Sequence, residues 1–157
     1  MSRLVISGIP GTGKTTIAEH LAEHHGFTHV DMEADSFRGQ RELEDDPETF
    51  LANLPHTGNV VLSWGFSPYE NRPSVDQLLA AGYKLIWFDG DHVTTLRNFL
   101  TREHGNPRRE SAYYGQMQMI LATEISTRLD CTHINPFDGE TFRPRTDIAA
   151  QILGNVP

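Results

Sequence analysis

Residues 8–15 read Gly8-Ile9-Pro10-Gly11-Thr12-Gly13-Lys14-Thr15, which fits the pattern G-x-x-x-x-G-K-[ST] of a phosphate-binding loop, the P-loop. The apolar run 4–7 precedes this loop and predicts a short buried strand, and residues 16–25 predict a helix. Glycines allow such a loop to turn its backbone N–H groups inward, and the helix N-terminus behind it favours negative charge. A chance glycine turn is the alternative, but the flanking strand and helix favour a loop that binds a nucleoside triphosphate.

The positions of this loop have predicted roles. We expect the Lys14 ammonium to reach the β- and γ-phosphates and the Thr15 hydroxyl to bind Mg²⁺. What becomes of the γ-phosphate has to be inferred from the rest of the chain. The residues expected to contact the nucleotide are Gly8, Pro10, Gly11, Thr12, Gly13, Lys14, Thr15 and Thr16.

Length and composition predict one globular domain over residues 1–157, with an apolar fraction of 38% and a charged fraction of 22%. No apolar run reaches the length of a membrane span, and because Met1-Ser2-Arg3 leads directly into the predicted first strand, we expect no signal peptide. Cys131 is the only cysteine, which fits a reducing, cytoplasmic compartment. The net charge of -8, without a basic stripe, argues against a long nucleic acid as a partner.

Acidic residues follow the second strand, which is predicted over 27–30. Because strand, helix and strand follow one another closely, we expect two parallel strands that end at the same edge of the sheet. Asp31 and Glu33 should therefore lie at the edge that holds the P-loop. A carboxylate there can orient Mg²⁺ through water or accept the proton of an attacking hydroxyl. The structural alternative is that Asp31 or Asp35 caps the helix that follows.

The polar, acidic segment 36–54 is predicted to form two short helices separated at Pro47. A helical segment inserted after the second strand would lie over the edge of the sheet where ligands bind. Arg38 and Arg41 then either bind an acceptor or belong to an exposed pair of charged helices.

The third strand is predicted over 59–64 and runs into Trp64-Gly65-Phe66. Its two aromatic side chains at a strand's carboxyl end form either an apolar wall for a substrate or part of the core. A helix over 74–81, with Ser74 as its N-cap, is predicted to follow.

The fourth strand, predicted over 83–89, ends in Asp89 after four apolar residues, as a Walker B strand does in ATPases and switches. Its continuation indicates something else, because two helices flank a polar loop that carries Arg108 and Arg109. That layout is typical of a lid, here 103–112, whose arginines neutralise charge on a moving phosphoryl group. An ordinary helical hairpin with a solvated turn is the alternative.

The remaining elements are a fifth strand over 132–135, a loop over 136–144, and a last helix capped by Thr146 or Asp147. On the first helix, His20 and His24 lie four residues apart. We expect a solvated histidine face there rather than a metal site.

The chain resembles the small P-loop kinases of the shikimate kinase, gluconate kinase and adenylate kinase group. The resemblance rests on residues 8–16, on Asp31-x-Glu33, on Leu96-Arg97 with Arg102, and on Arg108-Arg109. It implies an α/β fold with five parallel strands in the order 2-3-1-4-5, helices on both faces and a helical lid. The implied reaction is transfer of the γ-phosphoryl group of ATP, with Mg²⁺, to a hydroxyl of a small polar acceptor.

The resemblance also implies roles for particular residues. Asp31 looks like the carboxylate on the Mg²⁺ side and Glu33 like the group that holds and deprotonates the acceptor hydroxyl. Arg102 looks like the arginine near the adenine, and Arg108 or Arg109 like the lid arginine. The acceptor, the choice between ATP and another nucleotide, the base and the oligomeric state stay open.

Two other functions are compatible with these residues. One is a nucleotide-gated ATPase or switch, which Asp89 would serve as a Walker B carboxylate. The other is a kinase that acts on a nucleotide or on a nucleic-acid end. The salt sensitivity of binding would separate these cases.

Overall fold

A computed structural model describes residues 1–66, 71–102, 111, 113–115, 117–118 and 130–155. In its first half, β1 (Arg3–Gly8), α1 (Lys14–His25) and β2 (Phe27–Asp31) are followed by α2 (Ala34–Asp45), α3 (Pro47–Asn53) and β3 (Asn59–Ser63). The second half contains α4 (Arg72–Ala80), β4 (Lys84–Phe88), α5 (His92–Arg102), β5 (Cys131–Ile134), β6 (Phe137–Asp138), β7 (Thr141–Phe142) and a last helix (Arg145–Gly154).

Five parallel strands form the main sheet in the order β2-β3-β1-β4-β5, which confirms the predicted fold class and strand order. In this register, Gly8 at the end of β1 pairs with Phe88 at the end of β4. Asp31 at the end of β2 pairs with Ser63 at the end of β3. The P-loop, the acidic segment and the residues after β3 and β4 therefore all leave the sheet at one edge.

Apolar residues cover both faces of this sheet, as expected for parallel strands. On β1, Leu4 and Ile6 pack into one cluster with Ile17 and Leu21 of α1 and with the last helix. Val5 points to the opposite face, whose cluster includes the largest side chains of the core, Trp64 and Trp87 among them.

Several local predictions were wrong. The fourth helix begins at Arg72 rather than Ser74, because Pro73 suits the first turn of a helix, and Ser74 is buried within it. The last helix begins after Pro144 without a side-chain cap, so neither Thr146 nor Asp147 has the predicted capping role. The segment expected to be a loop over 136–144 contains the antiparallel hairpin β6–β7.

The described part of the chain contains no helix that is both long and apolar enough to cross a membrane.

Candidate active site

Backbone conformation and close packing shape the P-loop. Gly11 and Gly13 have φ values of 82° and 77°, in the left-handed region that favours glycine. A Cβ atom at Gly11 would collide with the carbonyl oxygen of Thr95 in α5. At Gly13, a Cβ would lie 2.7 Å from the ring of Phe142. The loop is therefore packed against α5 on one side and against the β6–β7 hairpin on the other.

Lys14 begins α1 and folds its side chain back over the loop. Its Nζ donates to the carbonyl oxygens of Gly8 and Ile9, each at 3.2 Å. The hydroxyl of Thr12, which is fully buried, donates to the same Ile9 carbonyl at 2.6 Å. These bonds hold a cation at the mouth of a loop lined by backbone groups, which is the arrangement that binds phosphate.

The acidic segment after β2 meets the end of β3. Asp31 Oδ1 accepts a hydrogen bond from the backbone N–H of Glu33 at 2.9 Å, so it forms a local turn rather than a helix cap. Glu33 Oε2 accepts from the backbone N–H of Gly65 at 3.1 Å. Gly65 leaves room for this contact, since a Cβ there would lie 3.2 Å from the same carboxylate oxygen. The sequence-predicted residues Glu33 and Gly65 are thus in direct contact.

The segment after Glu33 adopts an unusual backbone. Asp35, Ser36 and Phe37 have φ values of 48°, 59° and 65°, all in the left-handed region that residues other than glycine rarely adopt. Glu33 occupies the N-cap position of α2 and makes no side-chain cap bond. Asp35 therefore does not cap the helix, contrary to the structural alternative. Strain of this kind concentrates at functional sites, where the surrounding fold maintains it.

Thr15 and Asp31 carry the oxygen atoms that the predicted Mg²⁺ site requires. Thr15 is partly exposed in the first turn of α1. Asp31 uses Oδ1 for the turn, and its Oδ2 accepts no hydrogen bond from the described part of the chain. Oxygen donors of this type, completed by water and phosphate oxygens, are what Mg²⁺ prefers.

A half-buried histidine precedes Asp31 by two residues on β2. His29 Nε2 lies 2.9 Å from the hydroxyl of Ser63, which pairs with Asp31 across the strands. Burial lowers the pKa of His29 below its ordinary value, and the Asp31 carboxylate acts in the opposite direction. His29 and Ser63 thus form a hydrogen-bonded pair at the base of the acidic segment.

Trp64 and Phe66 belong to the core rather than to an exposed wall. Their exposed fractions are 0% and 1%, and the Phe66 ring packs edge-on against both Trp64 and Trp87. Trp64 Nε1 donates to Gln40 Oε1 of α2 at 3.1 Å, which ties the excursion after β2 to the end of β3. These two residues are therefore part of the hydrophobic core and do not form an apolar wall for a substrate.

The two arginines of the excursion are exposed. Arg38 Nε donates to Glu42 Oε1 one helical turn away at 2.8 Å, and this bond raises the pKa of Arg38. Arg41 is also exposed. Neither makes a recorded contact with Asp31 or Glu33, so their role in acceptor binding stays a prediction.

Asp89, the residue expected of a Walker B strand, has both carboxylate oxygens engaged by neighbouring side chains. Trp87 Nε1 donates to Oδ1 at 2.8 Å, and His133 Nδ1 lies 2.7 Å from Oδ2. These contacts connect Asp89, directly after β4, with Trp87 of the same strand and His133 of β5.

Comparison with known proteins gives a family match and a curated relative. The model of the ATPase family associated with various cellular activities (AAA) matches residues 4–64, less than half of the chain. The adenylate kinase of Mycoplasmoides gallisepticum is 53% identical over 89 residues. This alignment covers 53% of the present chain and 41% of that protein, so the chain spans about two fifths of its curated relative.

Solved structures match the chain over nearly its whole length. Shikimate kinase from Acinetobacter baumannii, in complex with shikimate, has a TM-score of 0.65 at 18% identity, covering 99% of this chain and 95% of that one. The gluconokinase from Sinorhizobium meliloti 1021 has a TM-score of 0.62 at 18% identity, covering 98% and 90%. The tunicamycin resistance protein of Deinococcus radiodurans has a TM-score of 0.63 at 18% identity, covering 98% and 95%.

The fold is that of the small P-loop kinases. The predicted resemblance to that group is confirmed by the named relative and the structural neighbours, most of which are kinases. The predicted lid, including Arg108 and Arg109, lies outside the described residues, as does the side chain of Arg102. Their roles stay predictions.

The β6–β7 hairpin is a part of this small P-loop kinase fold that was not predicted from the sequence. Phe142 covers Gly13, and Arg97 of α5 pairs with Glu140 at the hairpin turn at 3.1 Å. A cavity of about 580 Å³ adjoins the hairpin; its lining includes Asn135, Phe137, Phe142 and Arg143. The dipeptide Asp138-Gly139 between two aromatic residues is a hairpin signal that could have revealed it.

Proposed function

We propose that this chain is a phosphotransferase that moves the γ-phosphoryl group of ATP, or of another nucleoside triphosphate, to a hydroxyl of a small polar acceptor. The contact between Glu33 Oε2 and the backbone N–H of Gly65 carries the proposal. It places a carboxylate and a backbone donor together at the sheet edge that holds the P-loop. An acceptor hydroxyl needs both a base and a positioning donor at such a point.

Each part of the site has a role in this reaction. The loop amides and Lys14 bind the β- and γ-phosphates and spread the negative charge of the transition state. Thr15 and Asp31 would hold Mg²⁺, which would supply further charge neutralisation. Glu33, released from Gly65 by the incoming acceptor, accepts the proton of the hydroxyl; Asp31 is the alternative base.

The proposed assay follows Mg²⁺-ATP turnover by the purified protein with a pooled library of hydroxyl metabolites, sugars, nucleosides and nucleotides. The pool should raise ADP release and give a new phosphorylated mass. Glu33→Gln should lower kcat by about 10²–10⁴-fold, the contribution typical of a general base. Glu48→Gln, the same change at an exposed position of α3, is the matched control and should leave kcat unchanged. Equal turnover of Glu33→Gln and wild type would remove Glu33 from the mechanism.

A nucleotide-gated ATPase or switch is the second candidate, favoured by the AAA family match over residues 4–64. It predicts ADP release without an acceptor and a strong loss on Asp89→Asn. Because Trp87 and His133 already engage Asp89, we expect that substitution to act mainly on stability. The adenylate kinase relative is the reason to include nucleotides among the acceptors tested.

A further inference from the structure

Gln40 of α2 links the two segments whose contact supports the proposed function. In that contact, Glu33 Oε2 accepts a hydrogen bond from the backbone N–H of Gly65. The backbone N–H of Gln40 donates to the carbonyl oxygen of Met32 at 3.1 Å, and its side-chain Oε1 accepts from Trp64 Nε1, also at 3.1 Å. Gln40 is therefore bonded to the residue before Glu33 and to the residue before Gly65.

Both residues that Gln40 binds belong to the buried part of the fold. Met32 and Trp64 are each 0% exposed. The backbone N–H of Met32 donates to the carbonyl oxygen of Ser63, and that of Trp64 donates to the carbonyl oxygen of Ile6, each at 3.0 Å. The hydrogen-bond ladders of the main sheet thus continue through these two residues. Gln40 therefore locates α2 against the sheet itself.

Close packing adds to these bonds, because the residue before Gln40 is a glycine. Gly39 is buried, and a Cβ atom there would lie 3.1 Å from Met32 Cα and 3.2 Å from Met32 Sδ. The bond between Gln40 N and Met32 O also closes the turn of left-handed residues at 35–37. The distance between α2 and the segment that carries Glu33 is thus set by packing as well as by hydrogen bonding.

The two ends of the Gln40 amide meet groups of opposite hydrogen-bonding type, which explains why the residue is a glutamine. An indole N–H can only donate, and an ionised carboxylate can only accept. Gln40 Oε1 accepts from Trp64, while Gln40 Nε2 donates to Glu44 Oε1 at 3.0 Å. The same Glu44 oxygen accepts from Asn71 Nδ2, and Asn71 is buried directly before α4. A glutamate or a methionine at position 40 could not satisfy both partners.

We infer that Gln40 is a positioning residue for the proposed phosphoryl transfer, because it keeps the chain segments of Glu33 and Gly65 at one separation. The inference rests on the proposed function, in which Glu33 leaves Gly65 to accept the proton of the acceptor hydroxyl. Gln40 acts on this step through Met32 and Trp64. Without its side-chain bonds, α2 can shift relative to the end of β3, and a misplacement of about 1 Å can lower a rate about 10²-fold.

The first test follows the contact between Glu33 and Gly65 by NMR and needs no acceptor. The Gly65 amide proton should shift as the Glu33 carboxyl ionises with rising pH, because a carboxylate accepts a stronger hydrogen bond than a neutral acid does. Glu33→Gln should abolish this shift. Gln40→Met, which keeps the length of the side chain and removes its hydrogen bonds, should reduce the shift. Gln77→Met, the same change at an exposed position of α4, is the matched control and should titrate as the wild type does.

The second test measures kinetics with the acceptor that the pooled assay identifies. Gln40→Met should lower kcat about 10–100-fold and raise the KM for the acceptor, while the KM for ATP stays the same. A general loss of stability would not give this split. Gln40→Glu, which keeps an oxygen to accept from Trp64 Nε1, should recover most of the loss. Urea unfolding curves establish that every variant is folded at the assay temperature.

Three results would decide against these roles. An unaltered Gly65 titration in Gln40→Met would overturn the inference, as would an unaltered kcat and acceptor KM in that variant. A wild type whose Gly65 proton does not titrate would also overturn it, because the contact would then be absent in solution. A normal titration without any phosphorylated product from the wild type would contradict the proposed function instead. Loss of the titration in Gln40→Met would still support Gln40 as the residue that positions the contact.

Discussion

At the residue scale, the P-loop depends on glycines for two separable reasons, backbone conformation and space. Gly11 and Gly58 have nearly the same φ, 82° and 84°. A side chain at Gly11 would collide with the Thr95 carbonyl, whereas a side chain at Gly58 would meet nothing within 4 Å. A comparison of the two positions therefore separates the effect of packing from that of backbone conformation.

We predict that Gly58→Ala lowers the free energy of unfolding by about 1–2 kcal/mol, the ordinary cost of a left-handed alanine. Gly11→Ala should cost clearly more, by a further 1–3 kcal/mol, because the loop must also move away from α5. Urea denaturation of both variants measures the difference. Equal losses would mean that the loop and α5 are not in contact.

At the element scale, the start of α2 stores strain where the candidate acceptor site lies. Asp35, Ser36 and Phe37 form a left-handed turn at the start of α2. Gln40 N donates to the carbonyl oxygen of Met32 at 3.1 Å, and Met32 is fully buried. Glu33 lies at the beginning of this turn, so the strain bears directly on the proposed base.

Ser36→Gly should raise the free energy of unfolding by about 0.5–1 kcal/mol, because relief of left-handed strain outweighs the added entropy of the unfolded chain. The same type of change in an ordinary helix, Ala150→Gly in the exposed face of the last helix, should lower it by about 1 kcal/mol. Thermal or urea unfolding measures the change in the free energy of unfolding for both variants. A loss of stability in Ser36→Gly would show that the turn is not strained.

The two hairpin strands and the left-handed turn were not predicted from the sequence, whereas the main sheet was. The sheet was predictable because strand and helix patterns are local and the order followed from the resemblance. The turn was not, because no glycine marks it and the contacts of Met32 and Gln40 impose it. The contact of Glu33 with Gly65 likewise depends on strand register, which sequence alone does not give. The roles of the lid arginines remain predictions.

At the scale of the whole molecule, the stability of the fold should depend on pH through a buried histidine. His20 was expected in a solvated face, but it is only 8% exposed, and its Nε2 has no hydrogen-bond partner among the described residues. Burial lowers the pKa of His20, and the nearby groups His24, His25 and Arg145 lower it further, while Glu23 opposes them. The folded protein therefore binds this proton less readily than the unfolded chain does.

The free energy of unfolding should be highest above pH 6.5, the ordinary pKa of histidine, and should fall as the pH drops below it. His29, whose pKa is also lowered by burial, acts in the same direction. His20→Gln should reduce this fall without abolishing it, whereas His56→Gln, at an exposed position, should leave it unchanged. Urea titrations between pH 5 and 8 measure the profiles. Identical profiles for wild type and His20→Gln would contradict this account of His20.

The central claim is that the γ-phosphoryl group passes to an acceptor hydroxyl, and its destination can be followed directly. ATP carrying heavy oxygen in its γ-phosphate is incubated with Mg²⁺, the acceptor pool and either wild type or Lys14→Ala, and the products are weighed by mass spectrometry. We predict the label in a new phosphate ester with the wild type and in no product with Lys14→Ala. Label found only in inorganic phosphate, at a rate independent of the pool, would contradict the claim.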